Sequence, residues 1–84
     1  MAKKKTSGLP YENLANAIII QACDDYRAAC KTLKSNPRRK ETRQEAEKMR
    51  DEVASFFRSQ WFMELTDVDG EYLMRKLNEE VENG

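Results

Sequence analysis

A helical repeat of apolar residues begins at Pro10 and continues to about Ser35 without a glycine or a further proline. At about 100° per residue, the apolar side chains share one face of a helix and its margins. The face comprises Leu14, Ile18, Ala22, Tyr26, Ala29 and Leu33, with Ala15, Ile19 and Cys30 beside it. Pro10 suits the first turn, where its missing N–H would have no partner. The pattern predicts one long amphipathic helix that other elements must cover.

A second helix is predicted after the Asn36-Pro37 pair, with Asn36 as its N-cap and Pro37 at its first helical position. Its first half is charged and contains almost no apolar residue. The apolar face then resumes with Met49, Val53, Phe56 and Phe57. We expect this helix to end near Arg58 and its charged first half to face solvent.

Two shorter helices are predicted in the last third of the chain. Ser59 is a credible N-cap for a short helix over residues 60–65. Thr66 begins a capping-box variant, Thr-x-x-Asp, which would open a fourth helix over about 67–82. The apolar stripe of that helix consists of Leu73, Leu77 and Val81. No segment alternates apolar and polar residues as a strand does.

These elements predict an all-α fold, a small three- to four-helix bundle with a long first helix and a short helix-turn-helix corner at the C-terminal end. Eighty-four residues, 39% hydrophobic and 36% charged, suit one small domain with a charged surface. Residues 1–8 contain three lysines, and we expect them to be a flexible basic leader. Residues 9–84 would then form a single helical domain.

Four aromatic side chains lie close together where the second helix ends. They are Phe56, Phe57, Trp61 and Phe62. Since each aromatic side chain buries about 150–250 Å², we expect all four to belong to the core that joins the last helices to the first. Gly70, in the first turn of the fourth helix, suggests that a bulky group packs against its backbone. Trp61 and Phe62 are the nearest candidates.

The sequence offers little for catalysis. It has no histidine, which removes the commonest general base and metal ligand. It also lacks a glycine-rich phosphate loop and a nucleophile elbow. DVDG resembles part of a calcium-binding loop, but the first and twelfth ligand positions would be Leu65 and Lys76. The sequence therefore predicts a protein that is not an enzyme, with no catalytic residues, no cofactor and no metal.

Ile20 is the one large apolar residue on the polar side of the first helix. It lies near Asn16 and Arg27, and these three residues are the candidate protein interface. They fit either a protein partner or a homodimer.

A basic segment over residues 31–43 carries the alternative hypothesis, which is nucleic-acid binding. The candidate phosphate contacts are Lys31, Lys34, Arg38, Arg39, Lys40 and Arg43. Helix N-termini do bind phosphate. The net charge of the whole chain is zero, however, whereas a dedicated nucleic-acid binder is usually basic.

Two cysteines, Cys23 and Cys30, lie seven residues apart on the predicted first helix. That spacing is an axial rise of roughly 10 Å, whereas a disulfide needs Cα atoms within about 7 Å. We expect two reduced thiols that serve as small core residues. Because no secretory segment or long apolar run is evident, we expect a cytosolic protein without a membrane contact.

Three stretches resemble a set of short, functionally uncharacterised proteins encoded by prophages and conjugative elements of Firmicutes, many of them from gut bacteria. The stretches are AIIIQACDDYRAA at 17–29, the Asn36-Pro37 break, and FFRSQWFMELTDVDGEYL at 56–73. The resemblance covers roughly residues 10–78 and implies a mobile-element protein without catalytic residues. Small phage proteins of this kind are often regulators, assembly accessories or inhibitors of host machinery, anti-defence factors included.

Overall fold

A computed structural model describes the backbone of residues 10–83 and the side chains of residues 14–83. The predicted leader, residues 1–8, lies outside that range. The described chain forms α1 (Pro10–Lys34), α2 (Lys40–Phe57), α3 (Gln60–Leu65) and α4 (Gly70–Asn83), with no strand among these residues. The predicted all-α bundle with a long first helix is therefore confirmed.

The long helix α1 is the element on which the others assemble. Its most extensive contacts are with α2, and α4 also packs against it. The helix α2 returns antiparallel to α1, because Tyr26 in the middle of α1 meets Phe57 at the end of α2. Two hydrogen bonds define the direction of α4. Tyr26 Oη donates to Asn78 Oδ1 at 3.1 Å, and Lys34 Nζ donates to the Val81 carbonyl at 2.8 Å. The residue nearer the end of α1 thus contacts the residue nearer the end of α4, so the two helices run in the same direction.

The core lies where α1, α2, α3 and α4 converge. Its buried side chains are Ala22, Tyr26, Val53, Phe57, Phe62, Met74 and Leu77. The Phe57 and Phe62 rings meet edge to face with centroids 5.4 Å apart, and Tyr26 packs on Phe57 at 6.0 Å. Each large apolar side chain buried here stabilises the fold by about 1.5–3 kcal/mol. The α4 stripe is predicted correctly at Leu77 and Val81, both of which are buried.

The prediction that all four clustered aromatic rings are interior is wrong for Trp61. Phe57 and Phe62 are buried and Phe56 is half-buried, but Trp61 is 56% exposed. Adjacent residues of a helix point about 100° apart, so only one of Trp61 and Phe62 can face the core from the short α3, and Phe62 does. The Trp61 ring leans on the outer edge of the cluster, edge to face with Phe56 at 5.4 Å. Leu14 and Met49, predicted on apolar faces, are also exposed.

The connection between α1 and α2 differs from the predicted cap. Asn36 has φ 56°, in the left-handed region that asparagine tolerates, and its N–H bonds the Leu33 carbonyl at 3.1 Å. It therefore ends α1 and does not cap α2. Pro37 disfavours helical conformation at the residue before it. The second helix begins only at Lys40, with Arg39 at its N-cap and no side-chain cap bond.

The turns around α3 follow the predicted residues with one shift. Ser59 is the N-cap of α3 as predicted, because its hydroxyl oxygen accepts from the Phe62 N–H at 3.1 Å. The Thr66 hydroxyl oxygen accepts a hydrogen bond only from the Val68 N–H, within the turn, and so does not cap α4. The helix α4 begins later than predicted, at Gly70, and the Asp69 carboxylate accepts from the Glu71 N–H at 3.0 Å.

Gly70 does mark a close approach to the backbone, but the predicted neighbours are wrong. A Cβ at Gly70 would overlap the carbonyl oxygen of Phe57, at the end of α2. The group that packs there is backbone from α2, and not the ring of Trp61 or Phe62. The position is consequently buried.

Candidate functional site

An open groove of about 420 Å³ lies between the first half of α1 and the short helix α3. Most of its lining is apolar. The apolar residues are Leu14, Ala15 and Ile18 from α1 and Trp61 and Leu65 from α3. The described lining also includes Asn16 and Glu64. The volume falls within the roughly 300–1,000 Å³ typical of ligand pockets.

Helical spacing explains why these side chains share one concave surface. Trp61, Glu64 and Leu65 stand at i, i+3 and i+4 on α3, so they lie on one face while Phe62 points into the core. Leu14 and Ile18 stand at i and i+4 on α1. Because α3 has only six residues, it covers little of this end of α1, and apolar groups of both helices remain in contact with solvent.

The groove exposes two large apolar side chains. Leu14 is 60% exposed and Trp61 56% exposed. Single exposed apolar residues are ordinary, whereas neighbouring ones in a concave surface form a candidate site of interaction. Tryptophan is also among the residue types most enriched at the energetic centres of protein interfaces.

Among the described residues that line the groove, Glu64 is the only charged one. Its side chain is exposed, and it forms no ion pair with another residue that the structure describes. The part of the groove formed by residues 14–83 is therefore apolar, with one carboxylate on its wall and no lysine or arginine in its lining.

The three residues predicted as a protein interface have different environments. Ile20 is 60% exposed on α1, one turn beyond the groove, and Asn16 lines the groove itself. Arg27 is held by α4, since its guanidinium donates to Glu80 at 2.8 Å and to Asp24 at 3.0 Å. The hydrogen bond to Glu80 raises the pKa of Arg27 and lowers the pKa of Glu80. Arg27 thus serves the packing of α4, and the structure does not unite the three as one free surface.

The predicted phosphate contacts lie at the opposite end of α1 from the groove. Their side chains are all exposed: Lys31, Lys34, Arg38, Arg39, Lys40 and Arg43. One of them has a structural partner, because the Lys34 ammonium donates to the carbonyls of Val81 and Glu82 at 2.8 and 3.0 Å. The others surround the corner where α1 ends and α2 begins.

The two cysteines are free and half-buried against the core, as predicted. Burial raises the pKa of both the Cys23 and the Cys30 thiol. Because the thiolate is the reactive form, these thiols have the character of packing groups and not of activated nucleophiles. Burial likewise raises the pKa of Tyr26, which lies between them.

No group of three or more Cys, Asp or Glu side chains between residues 14 and 83 is arranged to hold a metal ion. Over the same stretch, none of the helices combines the length and the apolar character needed to cross a membrane.

Comparison with models of known protein families, with curated proteins and with solved structures finds no match. The groove therefore stands as the candidate site on its own geometry. Sequence reasoning missed it because Leu14 and Trp61 were placed in the core. The available signal was the number of aromatic rings, since four in one short stretch are a large share of so small an interior.

Proposed function

We propose that this chain is a non-catalytic accessory protein that acts by binding another protein through the groove between α1 and α3. The observation that carries the proposal is the pairing of exposed Trp61 with exposed Leu14 across a concave apolar surface. Burial of these two side chains by a partner would remove large apolar areas from water. It would require the desolvation of little charge.

The biological setting of the proposal rests on the sequence resemblance to small mobile-element proteins. On that basis the protein works in the cytoplasm of a bacterial host as a regulator or as an inhibitor of host or defence machinery. A compact helical body with a binding groove suits such a role, because the protein needs only to occupy a partner's surface.

A matched pair of substitutions on α1 tests the proposal. Leu14 and Ile20 are equally exposed, at 60% each, but only Leu14 lines the groove. Affinity capture from the bacterial host, followed by mass spectrometry, should recover the same partner with wild type and with Ile20→Asp. Leu14→Asp should lose it, while circular dichroism verifies that both variants keep their helix content. Retention by Leu14→Asp and loss by Ile20→Asp would move the interface to the Ile20 surface.

Nucleic-acid binding through residues 31–43 is the second candidate. It is favoured by the exposure of Arg38, Arg39, Lys40 and Arg43 around an α2 N-terminus that has no side-chain cap bond. The paired substitution Arg38→Ala, Arg39→Ala distinguishes the two candidates. DNA binding that falls steeply with salt and weakens in this variant would support the second candidate. Binding of a protein partner that is indifferent to the variant would support the first.

A further inference from the structure

We infer that the occupant of the groove is an amphipathic helix of the partner, which inserts apolar side chains between Leu14 and Trp61 and places a lysine or arginine beside Glu64. This inference rests on the proposed function and specifies the partner's chemistry. The observations behind it are the shape of the groove, the helical backbone that forms its wall and the Glu64 carboxylate on its lining.

The backbone of the groove wall favours a helical occupant over an extended one. Residues 14–18 lie inside α1, where the backbone N–H and C=O groups are bonded to one another. An extended peptide laid along this wall would find no strand edge with which to pair, and its own amides would face apolar side chains. A helix satisfies its backbone internally and offers apolar anchors at i, i+3, i+4 and i+7. Helix against helix is also how the rest of this fold packs.

The Glu64 carboxylate favours a partner helix with a basic residue beside its apolar face, and it argues against a second copy of this chain as the occupant. In a two-fold symmetric dimer the same patch meets itself, so two Glu64 carboxylates would enter one interface. Among the described residues that line the groove, no lysine or arginine would compensate them, and burying unpaired carboxylates is costly. A partner helix with one base at this position removes that cost and gains a charge-assisted hydrogen bond.

Trp61 supplies the assay, because it is the only tryptophan in the chain and lies in the groove. The probes are two blocked amphipathic peptides of about 18 residues, long enough to form a helix. Both carry leucines at helical spacing, and one carries lysines beside them where the other carries glutamates. The lysine peptide should shift Trp61 emission to shorter wavelength and should bind about fivefold more tightly than the glutamate peptide at low salt.

Substitutions in the groove complete the test. Glu64→Gln should remove most of the preference for lysine while binding itself persists, and Leu14→Asp should weaken both peptides. Ile20→Asp, the control outside the groove, should change neither. The inference is overturned if Glu64→Gln leaves the preference intact, if both peptides bind equally, or if neither moves Trp61 emission up to about 1 mM.

The failure of this inference is separable from failure of the proposed function. If capture of the cellular partner depends on Leu14 while the peptides fail, the groove binds a protein by other chemistry and only the inference falls. If capture is indifferent to Leu14, the proposed function falls. A dimer in light scattering that Leu14→Asp dissociates would identify a second copy as the occupant and overturn the inference directly.

Discussion

Gly70 occupies the first position of α4, directly against the last turn of α2. A Cβ there would overlap the carbonyl oxygen of Phe57 and lie 2.9 Å from its carbonyl carbon. The neighbour is backbone, which cannot rotate away as a flexible side chain would. The absence of a side chain is therefore what lets α4 begin so close to the end of α2 and carry Met74 and Leu77 into the core.

Gly70→Ala should destabilise the fold by about 1–3 kcal/mol, because the added methyl forces α4 away from Phe57. The sign of this change in stability is informative, since replacement of glycine by alanine at an open helical position stabilises a protein by about 0.5–1 kcal/mol. Urea unfolding followed by circular dichroism measures the change. Ser55→Ala, at an exposed position of α2, is the control and should be neutral or slightly stabilising. A Gly70→Ala protein as stable as wild type would refute the tight contact.

At the same scale, the sequence could predict that the aromatic cluster contributes to the core but not which rings do so. Periodicity is a reliable guide on α1, where 25 residues define a face, and it correctly places Ala22, Tyr26 and Ala29 inside. On α3 six residues cannot fix an orientation, and the prediction that places both Trp61 and Phe62 inside is right only for Phe62. Leu14 carries the right phase for burial, but exposure at the end of a helix depends on what lies beside it.

At the scale of elements, α1 holds α4 partly through polar contacts near their common end. The Lys34 ammonium donates to the Val81 and Glu82 carbonyls, which are among the last of α4. Such carbonyls have no partner within their own helix, and a cation there also complements the helix dipole. The helix α4 has no basic residue in its own last turn, so α1 supplies the missing charge.

Lys34→Met should destabilise the protein by about 1 kcal/mol, because the thioether keeps the apolar stem but removes the charged donor. The loss should be local, so amide exchange in the last turn of α4 should accelerate more than exchange in α2. Arg38→Met is the matched control, since it removes an exposed base beyond the end of α1, and should cost at most about 0.5 kcal/mol. Equal losses for the two variants would exclude a capping role for Lys34.

Helix boundaries illustrate what an element's own residues do not determine. Asn36 suits both an N-cap and a left-handed helix end. Which of these roles it takes depends on where the packing contacts of α1 end. Thr66 and Asp69 both suit a cap, yet α4 can start only where Gly70 clears Phe57. Phe57 and Gly70 belong to different helices, so the residues around the cap do not reveal their contact. The order and type of the helices follow from apolar periodicity together with the capping residues.

For the molecule as a whole, three ionisable groups of α1 link its stability to alkaline pH. They are Cys23, Tyr26 and Cys30, which pack in or against the core. Burial is the main cause that raises the pKa of each one. The folded protein therefore retains these protons at a pH where the unfolded chain has lost them. Their contribution to stability is complete below the pKa of the unfolded chain and is lost as pH rises through the folded value.

We expect the free energy of unfolding contributed by these groups to be constant up to about pH 8 and to decline from about pH 8.5, where cysteines of an unfolded chain ionise. A further decline should follow near pH 10 from Tyr26. Urea unfolding at a series of pH values measures the curve. In the double variant Cys23→Ala, Cys30→Ala the first decline should disappear while that of Tyr26 remains, whatever the variant's stability at neutral pH. If wild type and double variant lose stability in parallel between about pH 8.5 and 9.5, the thiols do not link stability to pH. The thiols would then be packed more loosely than the contact of Cys30 with Asn78 indicates.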